Sequence, residues 1–237
     1  MHIRLNRITT ALSAVTLIAC SAGDKSNTDT TTTTSTTPAA MTTVPDSDAA
    51  AIGGTGAPKG FLARTDGPTQ KLSDIKYSTA GSGWEVTTGP AHILWDPKNV
   101  ASGDYTVSAT FDQLGKPMHP ESFGLFIGGS DLSGPNQSYL YFLVRGSGEV
   151  FAQTRKGTVL TGRLAWQKSY AAPVADSSGK ATYTITMRVA GDSVRFLVNG
   201  HQAAVLPKKD IVTDGIYGVR INHNLHVQVS PIKVTKP

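Results

Sequence analysis

Two runs of alternating side chains, residues 139–145 and 149–155, carry the groups best suited to binding chemistry. A glycine-rich turn between the runs predicts a hairpin, in which Tyr141 lies opposite Gln153. One face of that hairpin then mixes aromatic rings with cationic and amide donors. Rings that stack on a pyranose, beside fixed donors for its hydroxyls, are what a sugar site needs. The candidate ligand-binding residues, three of them from other parts of the chain, are Tyr139, Tyr141, Arg145, Gln153, Arg155, Arg220, Asn222 and Trp95.

The same residues also have a plainer interpretation, as ordinary half-exposed strand positions. In that case Arg145 and Glu149 form a cross-strand ion pair that stabilises the fold by under about 1 kcal/mol. The tryptophans leave a similar choice open, because a sandwich of this size commonly buries one or two of them in its core. They are Trp84, Trp95 and Trp166.

The elements that must position these residues are β-strands. Eight segments alternate apolar and polar residues, are rich in β-branched and aromatic types, and end at Gly, Pro, Asn or Asp. Turns are predicted at Gly191-Asp192 and Asn199-Gly200. No run of ten residues has helical periodicity, so the prediction is an all-β fold, a two-sheet antiparallel sandwich or jelly roll. The predicted strands are Tyr105–Phe111, Ser122–Ile127, Tyr139–Arg145, Glu149–Arg155, Thr182–Ala190, Ser193–Val198, Gly215–Ile221 and His226–Val234.

Three stretches resemble the concanavalin A-like lectin/glucanase superfamily. Residues 183–201, a strand, a glycine turn and a strand ending in Asn-Gly, look like its paired strands. Residues 123–129 with 139–145 resemble its central strands, and residues 215–222 resemble its closing strands. The resemblance spans residues 61–235 and implies the jelly-roll fold. Because the superfamily holds lectins, glucanases and laminin G-like modules, it implies function only broadly.

Catalysis has less support in the sequence. A retaining glucanase of this superfamily needs two carboxylates about 5 Å apart, usually from a Glu-x-Asp-x-x-Glu motif. The chain lacks that motif, although an acid pair from separate strands stays open. His223 and His226 are expected on opposite faces of one strand, which does not suit a shared metal ion. No cofactor is predicted, because Asp131 and Asn136 offer too few oxygens for calcium and favour a self-bonded turn.

The first twenty residues have the pattern of a lipoprotein leader. Arg4 and Arg7 precede a short apolar stretch, and Leu17–Cys20 resembles a lipobox, in which Cys20 receives diacylglycerol. The apolar stretch is shorter than the roughly 20 residues of a transmembrane helix. Acyl chains would anchor the protein to a membrane without embedding it. The protein is predicted to lie in the cell envelope and, if the cell has two membranes, Ser21, where aspartate would favour the inner one, predicts the outer membrane.

Composition divides the chain into three parts. After a signal peptide at residues 1–19, residues 20–58 are rich in Thr, Ser, Ala, Asp and Pro, which predicts a disordered tether. Residues 59–237 are long enough for one β-sandwich domain with a sizeable core. Lys and Arg are scattered there without runs, so nucleic acid is not an expected partner.

These observations predict a membrane-anchored, non-catalytic binding lipoprotein whose most plausible ligand is a glycan. Two alternatives stay open. A glycoside-processing enzyme would have two carboxylates about 5 to 9.5 Å apart in one groove. A protein-interaction or envelope-structural module would have an exposed apolar patch and no polar groove. The sequence indicates no oligomeric state.

Overall fold

The computed structural model describes residues 56–237, which form two antiparallel β-sheets of eight strands each. The predicted signal peptide, Cys20 and nearly all of the predicted tether lie outside the described residues. In the order in which they pair, the strands of sheet I are β1 (Leu62–Thr65), β4 (His92–Trp95), β14 (Gly215–Ile221), β7 (Ser122–Ser130), β8 (Ser138–Arg145), β9 (Glu149–Lys156) and β10 (Val159–Lys168), with β5 (Val100–Ala101) also paired to β14.

Sheet II covers one face of sheet I. A single turn of 3₁₀ helix, Leu72–Asp74, precedes its first strand in the chain. No helix in residues 56–237 is long and apolar enough to cross a membrane. The strands of sheet II, again in pairing order, are β13 (His201–Pro207), β12 (Ser193–Val198), β11 (Ala181–Ala190), β6 (Tyr105–Gln113), β15 (His226–Val229), β3 (Gly83–Thr88) and β2 (Ile75–Ala80), with β16 (Lys233–Thr235) also paired to β6.

The core between the sheets follows from period-two alternation in the strands. Along β6, every second residue from Tyr105 onward is buried. On β8, the side chains of Leu140, Phe142 and Val144 belong to the same core cluster. The Phe142 ring stacks on Phe196 of sheet II with centroids 4.6 Å apart. Burying each ring stabilises the fold by roughly 2–3 kcal/mol, so this contact helps to hold the two sheets together.

The predicted turns and register are confirmed. Asn199 and Gly200 both have positive φ, 51° and 80°, which is the backbone of a type I′ hairpin turn between β12 and β13. The turn between β8 and β9 pairs Arg145 with Glu149 and Tyr141 with Gln153. The expected face of rings and donors therefore forms.

Two features of the strands differ from the prediction. The segment predicted as one strand from His226 ends at Val229 and resumes at Lys233, because Pro231 has no backbone N–H to donate. Seven strands were not predicted, and β10 among them is irregular, with register shifts between Gly162 and Leu164 and again between Leu164 and Gln167. The other six are β1, β2, β3, β4, β5 and β13.

A polar pair, Tyr77 and His92, is buried between the sheets. His92 Nδ1 donates to the carbonyl oxygen of Pro90 (3.2 Å), so His92 Nε2 accepts from the Tyr77 hydroxyl. Burial lowers the pKa of His92 from 6.5 to about 4, although the bond to Pro90 opposes that shift. The imidazole is therefore neutral in the folded protein at pH 7.

We expect acid to destabilise the fold through His92. Between pH 6.5 and about pH 4, the unfolded chain binds a proton at this residue that the folded protein does not. The free energy of unfolding therefore falls as the pH is lowered through that window, by roughly 3 kcal/mol in total. Urea unfolding at several pH values measures this, and His92→Phe should be less stable at neutral pH but have a flatter pH profile.

His201→Gln is the matched control, because His201 is exposed on β13. Its profile should follow that of the unmodified protein. A His92→Phe profile as steep as that of the unmodified protein would show that other groups cause the acid sensitivity.

Candidate functional site

A second cluster of apolar side chains lies on the face of sheet I that points away from sheet II, which we call the outer face. Alternation places it there, because on β8 the residues between the core positions carry Tyr139, Tyr141 and Leu143. These rings are nearly inaccessible, with Tyr141 only 4% exposed. Sheet I is therefore apolar on both faces. The buried members of the cluster are Ile93, Trp95, Phe126, Leu132, Tyr139, Tyr141 and Leu143.

Most of the predicted ligand-binding residues meet on the outer face. Tyr139 pairs with Arg155 and Tyr141 with Gln153, and the Tyr141 hydroxyl donates to Gln153 Oε1. Trp95, the last residue of β4, is buried in the same cluster. Half-buried Gln153 and Arg155 are more accessible than the two tyrosines.

Arg220 joins this group from β14, whereas Asn222 does not. The neighbour of Arg220 on β7 is Gly124, so its side chain can extend across β7 and place its guanidinium 4.9 Å from the Tyr141 ring centroid. A Cβ at residue 124 would lie 2.0 Å from a backbone oxygen of β8, so only glycine fits. Asn222 lies beyond the end of β14 and donates from Nδ2 to Ser122 Oγ (3.0 Å).

The centre of the site is a carboxylate that sequence reasoning missed, Asp66. Arg220 donates to both of its oxygens, with Nη1 2.9 Å from Oδ1, and Arg155 Nη1 lies 3.2 Å from the same Oδ1. Arg220 Nη1 is also 3.4 Å from the Tyr139 hydroxyl. Asp66 is in the loop after β1, a strand that was not predicted, and only its place before Gly67 and Pro68 gave a turn signal.

The charged groups of this network stabilise one another. Burial alone would raise the pKa of Asp66, but the hydrogen bond from Arg220 and the positive charges of Arg220 and Arg155 outweigh it and lower that pKa. Burial opposes the charge on Arg220, yet Asp66 raises its pKa overall. Burial also raises the pKa of Tyr141 to about 12, so its hydroxyl stays protonated. At neutral pH the site therefore holds two guanidinium ions, one carboxylate and neutral phenols.

One donor of the network is unused. Arg220 Nε is buried and has no hydrogen-bond partner, although the other two nitrogens of the guanidinium bond to Asp66. A buried donor without an acceptor costs about 1–3 kcal/mol, so native proteins usually give such groups a water or a ligand atom.

A cavity of about 400 Å³ opens beside this network. Asp66 and Arg155 line it, together with Arg64 of β1 and Gln137 from the loop before β8. Arg64 is held in place because Nη1 donates to the carbonyl oxygens of Leu132 (3.2 Å) and Gly134. A carboxylate between fixed guanidinium groups offers both acceptors and donors, which suits a ligand with neighbouring hydroxyls.

Towards the other end of the outer face, Trp166 is the most accessible tryptophan, 37% exposed. Its indole stacks on Phe151 with centroids 4.8 Å apart, and the Arg145 guanidinium lies 4.2 Å from the Trp166 ring centroid. Arg145 also forms the predicted ion pair with Glu149, at 2.8 Å from Nη2 to Oε2. Trp84 instead packs against the core.

Two carboxyl groups of the outer face, those of Asp66 and Glu149, do not suit acid catalysis. A glycosidase needs one carboxylic acid that stays protonated, hence with a raised pKa. Asp66 has a lowered pKa, and the hydrogen bonds from Ser147 and Arg145 lower the pKa of Glu149, although some burial opposes them.

The described residues contain no cluster of three His, Cys, Asp or Glu side chains that could hold a metal ion. The prediction that His223 shares a strand with His226 is wrong, since β15 begins at His226. Their side chains reach different carboxylates, 3.1 Å from Glu121 and 2.8 Å from Glu85.

In the loop between β7 and β8, Asp131 and Asn136 are joined by a local hydrogen bond. Asp131 Oδ2 accepts from the backbone N–H of Asn136 at 2.9 Å. The backbone N–H of Gly134 donates to the carbonyl oxygen of Asp131 (2.8 Å). Asp131 itself has a positive φ of 46°, which Asp tolerates in tight turns. This is the self-bonded turn that the sequence favoured.

Comparison with solved structures identifies the fold. CBM66, a carbohydrate-binding module from Bacillus subtilis, aligns over 77% of this chain and 98% of its own, with TM-score 0.56 and 9% identity. A B. subtilis protein of unknown function with a galectin-like fold aligns over 75% and 90%, with TM-score 0.57 and 14% identity.

A Bacteroides ovatus GH16 protein, in complex with a product, aligns over 77% of this chain and 98% of its own, with TM-score 0.55 and 9% identity. No family model matches the chain, and no curated protein matches it. The domain has the concanavalin A-like jelly-roll fold.

We expect Asp66→Asn to destabilise the protein. The substitution leaves Arg220, 6% exposed, without a counter-charge, which costs roughly 2–4 kcal/mol of unfolding free energy. Urea unfolding at pH 7 measures this loss. Asp192→Asn, in an exposed turn, is the matched control and should stay within about 0.5 kcal/mol of the unmodified protein. Equal stability of the two variants would mean that Asp66 does not neutralise Arg220.

Proposed function

We propose that the protein binds carbohydrate on the outer face of sheet I and does not hydrolyse it. The observation that carries this proposal is the network of Asp66, Arg155 and Arg220 beside an open cavity, on the face away from the core. Burying a charged side chain costs free energy, and a β-sandwich needs no buried charge on the outer face of a sheet in order to fold. A ligand that uses the donors and acceptors supplies a reason for the cost.

Some residues of the site would contact the sugar, and others hold those residues in place. Asp66, 31% exposed at its side chain, would accept from a sugar hydroxyl, and Arg155 would donate to another. The unused Arg220 Nε is buried and Arg220 does not line the cavity, so a bridging water would be its partner. Tyr139 and Tyr141 hold the Arg220 guanidinium in place, and Trp166 offers an indole edge further along the face.

The similar structures support a sugar ligand and leave an enzyme as the second candidate. CBM66 is named a carbohydrate-binding module, and the B. ovatus protein is a GH16 member holding a product. The lowered pKa values of Asp66 and Glu149 favour binding, because neither group would be a protonated general acid at neutral pH.

The proposed location is the cell envelope, on the outer membrane. Cys20 would carry the lipid, and residues 21–58 would tether the domain at a distance from the bilayer. As a flexible chain, such a tether would reach roughly 35 Å. Glycans near the membrane surface would then be within reach of the outer face.

A glycan array tests the proposed ligand class. We expect the full-length protein, kept in a zwitterionic detergent without a sugar headgroup, to bind at least one glycan. Arg155→Met should weaken that binding about tenfold or more, because it removes a charged donor at the cavity. Arg195→Met, an exposed arginine on β12 of sheet II, is the matched control and should bind normally.

Two results would reject the proposed binding site. One is the absence of binding to every glycan, and the other is equal binding by the Arg155→Met and unmodified proteins. Release of reducing ends from the bound glycan would instead favour the enzyme.

Metabolic labelling tests the anchor. We expect labelled palmitate to be incorporated into the protein in bacterial cells, and Cys20→Ser to abolish incorporation because the chain has no other cysteine. Ser21→Ala keeps the thiol and should be labelled normally. Labelling that persists in Cys20→Ser would contradict lipidation at this residue.

A further inference from the structure

A separate cavity of about 320 Å³ lies where three loops meet at one end of the sandwich. The loops connect β6 to β7, β8 to β9 and β10 to β11. Buried Gln113 and Gly179 form its floor, and exposed Lys116 and Met118 form its rim. None of the residues that line it belongs to the network around Asp66.

The floor presents an unused hydrogen-bond acceptor. Gln113, 2% exposed at the end of β6, donates from Nε2 to the carbonyl oxygens of Gly115 (3.1 Å) and Gly179 (2.5 Å). These two bonds fix the amide, because a flipped amide would point Oε1 at two carbonyl oxygens. Gln113 Oε1 is buried and has no hydrogen-bond partner.

Two glycines keep this arrangement open. A Cβ at Gly146 would lie 2.9 Å from Gln113 Oε1, so a side chain there would crowd the acceptor. A Cβ at Gly179, where φ is +81°, would lie 2.3 Å from the backbone of Lys116, so only glycine lets the two loops approach.

The chemistry of the cavity selects the kind of group that would fill it. A buried acceptor without a partner requires a donor, and among the side chains that line the same cavity those of Pro117, Met118 and Pro120 are apolar. An acetamido group has an N–H next to a methyl group, and its carbonyl oxygen can accept from the Lys116 ammonium at the rim. A bare hydroxyl would leave the apolar walls without a partner.

We infer that this loop-end cavity is a second binding site, which takes an N-acetylated sugar residue; that the acetamido group belongs to a sugar rests on the proposed function. The acetamido N–H donates to Gln113 Oε1, and its methyl group packs against Met118. The cavity shares no residue with the network around Asp66, so binding at either place can fail without the other.

Methyl NMR of the full-length protein, in a detergent without a sugar headgroup, tests this inference. With [¹³C-methyl]methionine labelling, N-acetylglucosamine should shift the Met118 resonance, with a Kd on the order of millimolar for a single sugar. The resonance of Met187, buried in the core on β11, reports intact folding and should not move. Glucose, which lacks the acetamido group, is the matched ligand and should leave Met118 unchanged.

Variants then test whether Gln113 is the residue that contacts the sugar. Gln113→Leu removes the acceptor and should weaken binding about tenfold, while Gly146→Ala crowds it and should act in the same direction. Gln202→Leu, on the exposed strand β13, is the matched control and should bind normally. Arg155→Met should not affect this site either.

Several outcomes would overturn the inference. The first is that the Met118 resonance does not shift at saturating N-acetylglucosamine. The second is that glucose or N-acetylalanine methylamide shifts it as much as N-acetylglucosamine does. The third is that Gln113→Leu and Gly146→Ala both bind as tightly as the unmodified protein while the Met187 resonance shows an intact core.

Discussion

The ion pair between Arg220 and Asp66 is the interaction on which the outer face depends. A guanidinium that is almost fully buried needs a carboxylate at hydrogen-bonding distance, and Asp66 provides it from the loop after the edge strand β1. The same carboxylate bonds Arg155 on β9, so one side chain links β14 to a strand three positions away in the sheet. The rings of Tyr139 and Tyr141 then pack against a fixed framework of charge.

Alternation makes a strand predictable where one face is buried and the other is not, whereas β7 and β8, which are buried on both faces, were predictable from their β-branched and aromatic residues and the turns that bound them. β6 and β11 show that alternation in their sequence and burial, and the turns between predicted strands carry glycine or Asn-Gly. β4 is buried on both faces and is only four residues long, so its sequence does not alternate between apolar and polar residues over a recognisable length. β10 interrupts its own alternation at two irregular positions. In β4 and β10, the surroundings decide the structure more than the strand's own pattern does.

The candidate site was predictable to the same extent. A single hairpin register brought Tyr139, Tyr141, Gln153 and Arg155 to one face, because that contact is local in sequence. Asp66 reaches Arg220 across 154 residues, and an isolated aspartate before a Gly-Pro turn carries no sign of such a partner. The near-complete burial of the two tyrosines was equally invisible, because alternation gives the side of a sheet that a residue occupies, but not what packs on it.

The irregular pairing of β10 affects how the protein behaves beside copies of itself. A sheet that ends in a long, straight strand offers free backbone groups to any neighbouring chain, which is how edge-to-edge aggregation starts. In β10, the two register shifts divide the pairing with β9 into Val159–Gly162, Leu164 alone, and Gln167–Lys168, and Arg163 and Lys168 add charge. Such an edge would discourage uncontrolled fibre growth between copies of this chain while the two faces of the sandwich stay uncovered.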